Sequence, residues 1–177
     1  MVTSVTIIRI MKIEEIKTNL PREKENIDNF YENCKKRKKF IIGSKDNYKF
    51  HLKKGKHDLF RAIKEFEDEC WDWTVIKAYY SIHHAANALL LKKEGIFCKD
   101  HSCLIIALKH HKLLSEDISK ELSELHESFS DIFGLDLTFQ LRKLSQYDVY
   151  EWENIKREDA ELIIKAAKKI ISFTENA

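Results

Sequence analysis

The sequence predicts an all-α protein, folded as an up-and-down bundle of four to six helices. Only four glycines and one proline occur among 177 residues, which leaves little material for the tight turns that sheets need. Apolar residues recur at helical spacings of three and four along most of the chain. At this length, with 44% hydrophobic residues, the chain can form one sizeable core.

The first 44 residues differ from the rest. They show no sustained periodicity and contain the one proline, Pro21, so we interpret residues 1–44 as a basic N-terminal extension of short helices or partly flexible chain, and residues 45–177 as the helical bundle. Residues 1–56 carry 15 Lys or Arg against 7 Asp or Glu, and the run 35–39 is entirely basic. This charge indicates either an arm that meets phosphates or a solvated extension.

Two long helices come first in the bundle. The first carries an apolar stripe at offsets of 7, 4, 3 and 4, formed by Leu52, Leu59, Ile63, Phe66 and Cys70. The second is predicted from about Trp71 to Glu94, and Gly95 is placed to terminate it in the left-handed conformation. Its alanines at 85, 86 and 88 would allow close helix packing.

Four further helices are predicted after Gly95. One lies around residues 101–113, and Ser115 is a suitable N-cap for the next, which carries Ile118, Leu122 and Leu125. A segment at about 136–147 follows the break at Gly134. The last helix has Glu158 and Asp159 in its first turn, where the helix dipole favours carboxylates, and then a stripe of Ala and Ile.

The expected environment is the cytoplasm, with no membrane contact. The longest nearly apolar stretch, 85–91, is far shorter than the roughly 20 residues of a transmembrane helix. Arg9 interrupts the mildly apolar start and no cleavage site follows, so no signal peptide is expected. The cysteines at 34, 70, 98 and 103 lie far apart, which favours reduced thiols over a disulfide framework.

Familiar enzyme motifs are missing from the sequence. No Gly-rich phosphate loop, nucleophile elbow or paired CxxC is present, and no cofactor is expected. The histidine pairs 83–84 and 110–111 diverge by about 100° on a helix, and Cys98, His101 and Cys103 lack a partner pair at a recognised spacing. We therefore expect no metal site.

The segment Lys77–Leu90, reading KAYYSIHHAANALL, is distinctive. It resembles the signature helix of the HEPN family, which reads approximately R-A-Y-Y-A-x-F-H-A-A-x-A-L-L. As in that family, an amphipathic helix precedes it and a loop with Lys99 and His101 follows. Further on, the stretch 142–148 resembles the turn that carries the family's arginine. The resemblance covers about residues 46–175.

The resemblance implies a bundle that often dimerises and, in many members, a metal-independent ribonuclease with an Arg and a His four to six residues apart. Such chemistry needs Arg to bind phosphate and His to move protons. Here Arg142 is present, but Tyr147 occupies the expected His position, and no His follows residue 126. A phenol of pKa about 10 is a poor base at neutral pH, although it can donate a hydrogen bond to phosphate.

The candidate catalytic residues are therefore Arg142 and Tyr147. Further residues are assigned to nucleotide or RNA binding: Lys77, Tyr80, His84, Asn87, Lys143 and Tyr150. The resemblance also implies a minimal nucleotidyltransferase as partner in a toxin–antitoxin-like pair, with Tyr147 or Tyr150 as acceptors of a nucleotidyl group.

Three functional hypotheses remain open. In the first, the protein is the toxin-like half of such a pair, acting on RNA or a nucleotide, with ribonuclease activity in question. In the second, it is a non-catalytic module that binds a nucleotide or a partner. In the third, it is a structural helical homodimer in which Arg142 pairs with a carboxylate such as Asp148.

Overall fold

The all-α prediction is confirmed by the computed structural model, which describes residues 20–115, 118, 134–148 and 152–177. Six α-helices lie within this part of the chain, and they have the following bounds: α1 Lys24–Lys36, α2 Tyr48–Glu67, α3 Trp71–Glu94, α4 His101–His110, α5 Gly134–Tyr147 and α6 Arg157–Asn176. The helix predicted after Ser115 lies outside the described residues, apart from Ile118. No described helix is both long and apolar enough to cross a membrane.

Helix α3 is the centre of the bundle, and α2, α4, α5 and α6 all pack against it. Its bounds are those predicted, and Gly95 ends it with φ 71° while donating its N–H to Leu91 O at 3.0 Å. Most of α3 is buried because neighbours cover several of its faces. The apolar stripe of α6 completes the core with Ala160, Ile163, Ala167 and Ile170.

Helix α2 packs very closely on α3. A Cβ at Gly55 would lie 3.1 Å from Ser81 O and 3.4 Å from Ala85 N, so the two backbones meet where glycine faces small residues. The buried line of α2 is therefore Gly55, Asp58 and Ala62. The predicted stripe from Leu52 to Phe66 is only partly buried, because it flanks this contact rather than forming it.

Helix α1 lies against α4 and buries Ile27, Tyr31 and Cys34. After α1, strand β1 (Phe40–Ile42) pairs antiparallel with strand β2 (Ile96–Cys98), with Ile41 opposite Phe97. The sequence pattern does not predict these short strands. They connect the segment before α2 to the loop between α3 and α4.

The expectation of reduced cysteines is wrong at two positions. Cys34 in α1 and Cys103 in α4 form a disulfide, with Cα atoms 5.9 Å apart. The two positions are 69 residues apart in sequence, and only the packing of α1 on α4 brings them within disulfide reach. Cys70 and Cys98 are free thiols. Burial raises the pKa of Cys98 to about 11, which makes this thiol unreactive.

Candidate functional site

Arg142 of α5 lies among aromatic side chains from two helices. Its Nη2 donates a hydrogen bond to Tyr80 Oη at 2.8 Å and lies 3.5 Å from Tyr147 Oη. The guanidinium carbon is 5.1–6.0 Å from four ring centres, those of Tyr79, Tyr80, Phe139 and Tyr147. We call these five residues the Arg142 cluster.

The local sequence explains this arrangement. Tyr79 and Tyr80 are adjacent on α3, so one ring is buried in the core while the other reaches the edge facing α5. Phe139 precedes Arg142 by three residues, the spacing of neighbours on a helix surface. Tyr147 is the last residue of α5 and is 64% exposed. The inner side of the cluster is therefore a buried aromatic ring, and an exposed phenol lies at its outer edge.

Arg142 remains cationic at every relevant pH. Burial alone would lower its pKa, but the hydrogen bond to Tyr80 and the neighbouring phenols raise the pKa above its ordinary value. Its Nε is buried without a hydrogen-bond partner, and within the described residues Arg142 forms no ion pair with a carboxylate. The pairing with Asp148 in the third hypothesis is replaced by contacts with tyrosines. The positive charge is thus positioned but not neutralised.

Two histidines lie behind the cluster. Burial lowers the pKa of His83 to about 3, with smaller contributions from neighbouring histidines and Arg142. The amide nitrogen of Asn87 lies 3.2 Å from His83 Nε2. His101 stacks on Phe139 with ring centres 4.0 Å apart and is buried. A histidine whose pKa is about 3 is a weak base near neutral pH. His83 is therefore poorly suited to replace the family's His.

The predicted site residues separate into different environments. Tyr80, Arg142 and Tyr147 come together, and Lys143 is exposed beside them, with Nζ 5.6 Å from the ring centre of Phe139. Asn87 lies in the core instead. It accepts from Cys98 N at 2.7 Å and donates to Cys98 O at 2.9 Å, which fixes β2 against α3.

His84 and Lys77 face α2. His84 Nδ1 lies 3.3 Å from His51 Nδ1, and its Nε2 lies 3.9 Å from the buried carboxylate of Asp58. Burial lowers the pKa of His84, which Asp58 partly opposes. Lys77 forms an ion pair with Glu65. Neither side chain contacts the Arg142 cluster, and Tyr150 lies outside the described residues.

The basic run at 35–39 is largely committed to local contacts. Lys35 pairs with Glu32 at 2.9 Å and Lys39 with Asp100 at 3.1 Å. Arg37 Nη2 lies 3.5–3.6 Å from the two disulfide sulfurs. Lys36 and Lys38 are exposed and form no ion pair within the described residues, so the run is a weaker phosphate-binding surface than its sequence indicates.

The sequence did not indicate that Phe139, His83 and His101 belong to this site. Phe139 could have been found from its position one helical turn before Arg142. The placement of His101 required the fold, because it comes from α4. Within the described residues, no group of three or more His, Cys, Asp or Glu side chains could hold a metal ion.

The fold and cluster define a class of protein: an all-α bundle that presents an unneutralised arginine among tyrosines. The family model of the HEPN domain matches residues 48–177, and the chain belongs to the HEPN family. Membership indicates an RNA-related or nucleotide-binding function in general, and HEPN domains commonly dimerise. No curated protein matches the chain.

Proposed function

We propose that the protein binds a phosphate group of RNA or of a nucleotide at the Arg142 cluster and does not cleave it. The observation that carries this proposal is the Arg142 guanidinium, which is held by Tyr80 at 2.8 Å and paired with no carboxylate among the described residues. Arginine presents several N–H donors in a plane suited to phosphate oxygens.

The surrounding rings favour a nucleotide over free phosphate. Tyr147 is 64% exposed, and an exposed aromatic ring offers a stacking surface to a base, worth about 1–3 kcal/mol. Lys143, next to Arg142 and exposed, adds a second positive charge. Phosphate binding with stacking therefore accounts for both the charge and the aromatic character of the cluster.

Among the described residues, the properties of His83, His84 and Tyr147 support binding over cleavage. His83 has a pKa of about 3 and its Nε2 is next to the Asn87 amide. His84 directs both ring nitrogens toward α2. Tyr147 occupies the position of the family's His. These three described side chains are thus poorly suited to accept a proton near neutral pH.

The binding test uses a 5′-fluorescein-labelled RNA oligonucleotide, followed by fluorescence anisotropy at low salt. Arg142→Gln should weaken binding about tenfold or more, because one charge-assisted contact contributes about 1.5–3 kcal/mol. Arg157→Gln is the matched control, since Arg157 also packs on two rings, those of Phe66 and Trp71, at 5.4 and 6.0 Å. Equal losses in both variants would mean that Arg142 acts only as surface charge.

Cleavage is tested with the same RNA on a denaturing gel in EDTA, beside the Arg142→Ala variant. We expect intact RNA in both lanes. Cleavage by the wild type alone would refute the binding-only proposal and establish a nuclease that uses another proton acceptor.

A nucleotidyltransferase partner is a second candidate, favoured by the exposed Tyr147 phenol beside a cationic group. A phenol at the rim of a phosphate-binding site is accessible to a partner enzyme. Its Oη would attack the α-phosphorus of ATP, lose its proton and become bonded to AMP, while pyrophosphate leaves. Intact-mass analysis of the protein with such a partner and ATP should show an adduct that Tyr147→Phe removes. An adduct that persists in this variant would exclude Tyr147.

A homodimer is proposed from the family's behaviour. Size-exclusion chromatography with light scattering should give twice the 21.0 kDa chain mass. A monomer at micromolar concentration would argue against it.

A further inference from the structure

A cleft of about 500 Å³ lies between α1 and α4. Its volume falls within the range of small-molecule sites, about 300–1,000 Å³. The floor is apolar and contains the buried Ile27 and Leu108 together with the half-buried Leu114. A flat or apolar chemical group would find a hydrophobic surface there.

The rim of the cleft is strongly cationic. Among the described residues, lysines 24, 109 and 112 and Arg22 line it together with one carboxylate, that of Asp28. Asp28 is already paired with His110 at 2.7 Å. The exposed side chains of Lys24 and Lys112 pair with no carboxylate in the part of the chain that the structure describes. The cleft thus combines an apolar floor with unneutralised positive charge.

One wall of this cleft lies outside the region that matches the family. The HEPN match begins at residue 48, so the wall formed by α1 precedes the matched region. The disulfide between Cys34 and Cys103 links the two walls covalently. A cleft with walls fixed in this way is preorganised, which lowers the entropic cost of binding a ligand.

We propose that the α1/α4 cleft is a second binding site, for a phosphate ester joined to an apolar or aromatic ring. The floor takes the ring, and Lys24 and Lys112 take the phosphate oxygens by charge-assisted hydrogen bonds. A free nucleotide and the phosphorylated 5′ end of an RNA share this chemistry. The proposal does not depend on phosphate binding by Arg142.

The test is isothermal titration of Arg142→Ala protein, so that the Arg142 cluster does not contribute. ATP should bind more tightly than either adenosine or tripolyphosphate, because each of these lacks one of the two features that the cleft recognises. A short 5′-phosphorylated RNA provides the other source. If ATP binds more tightly than the 5′-phosphorylated RNA, the ligand is a free nucleotide. If the RNA binds more tightly than ATP, the ligand is the phosphorylated end of an RNA.

Lys24→Gln/Lys112→Gln in the same background should weaken the preferred ligand at least about tenfold. Lys53→Gln/Lys168→Gln removes two exposed lysines outside the cleft lining and should leave the affinity nearly unchanged. If neither ATP nor RNA binds to Arg142→Ala protein, or if both double variants lose affinity equally, the proposed cleft site is refuted while the Arg142 proposal stands on its own test.

Discussion

Acidification from pH 7 to pH 5 should destabilise the protein through His83. Burial lowers the pKa of His83 to about 3 in the folded protein, whereas an unfolded histidine titrates near 6.5. Below about pH 6.5 the unfolded chain therefore binds a proton that the folded chain does not. As far as His83 determines it, the free energy of unfolding has its full value above about pH 6.5 and falls as the pH decreases toward 3.

The magnitude follows from the two pKa values. At pH 5 the proton bound by the unfolded chain lowers the free energy of unfolding by about 2 kcal/mol, at about 1.4 kcal/mol per pH unit below 6.5. His83 keeps some exposed surface, although its Nδ1 is fully buried and unpaired. We therefore treat about 2 kcal/mol as an upper estimate.

The assay is urea denaturation followed by circular dichroism at both pH values. His83→Phe keeps a ring of similar size next to Tyr79 and removes the titrating group. The loss of stability between pH 7 and 5 should be smaller in this variant by up to about 2 kcal/mol. The remaining loss would come from His51, His84 and His111, whose pKa values burial also lowers. An identical pH dependence in wild type and variant would refute the assignment of His83 as a buried neutral group.

Three further predictions concern packing and cross-links. Gly55→Val should cost about 1–3 kcal/mol, since its side chain would press against the α3 backbone, and thermal unfolding measures this. Reduction of the Cys34–Cys103 disulfide, which spans 69 residues, should lower the free energy of unfolding by up to about 4 kcal/mol, and the double serine variant should not respond to reductant. Asn87→Ala should cost about 2–4 kcal/mol because two buried hydrogen bonds to Cys98 are lost. The RNA affinity of the folded variant should stay within about twofold of wild type. A large loss of affinity would mean that Asn87 belongs to the binding site after all.

The sequence predicted α3 and α6 well because their signals are local. The range Trp71–Glu94 and the left-handed Gly95 follow from periodicity and capping within one segment. The buried line of α2 was misplaced, since Gly55 and Asp58 carry no hydrophobic signal. Their burial results from the close approach of α3. This contact involves two segments, so the apolar pattern of α2 alone does not show it.

The candidate site was predicted only in part, because sequence spacing shows contacts within one helix but not contacts between helices. Arg142 and Tyr147 belong to one helix, so their spacing was visible in the sequence. The placement of Asn87 and His84 depended on which face of α3 meets each neighbour. Tyr80 turns toward α5, Asn87 toward β2 and His84 toward α2. These three directions follow from the packing around α3, which a single sequence does not define.

The two proposed phosphate sites lie on different sides of α4. His101 packs on Phe139 of the Arg142 cluster, while His110 lines the α1/α4 cleft. The two histidines are nine residues apart, and at about 100° per residue they point in nearly opposite directions. A single nucleotide therefore cannot contact both sites through α4. If both proposals hold, ATP should bind wild-type protein with a stoichiometry of two per chain, and each set of substitutions should remove one equivalent. Binding of one equivalent that is lost in both Arg142→Ala and Lys24→Gln/Lys112→Gln would contradict two independent sites.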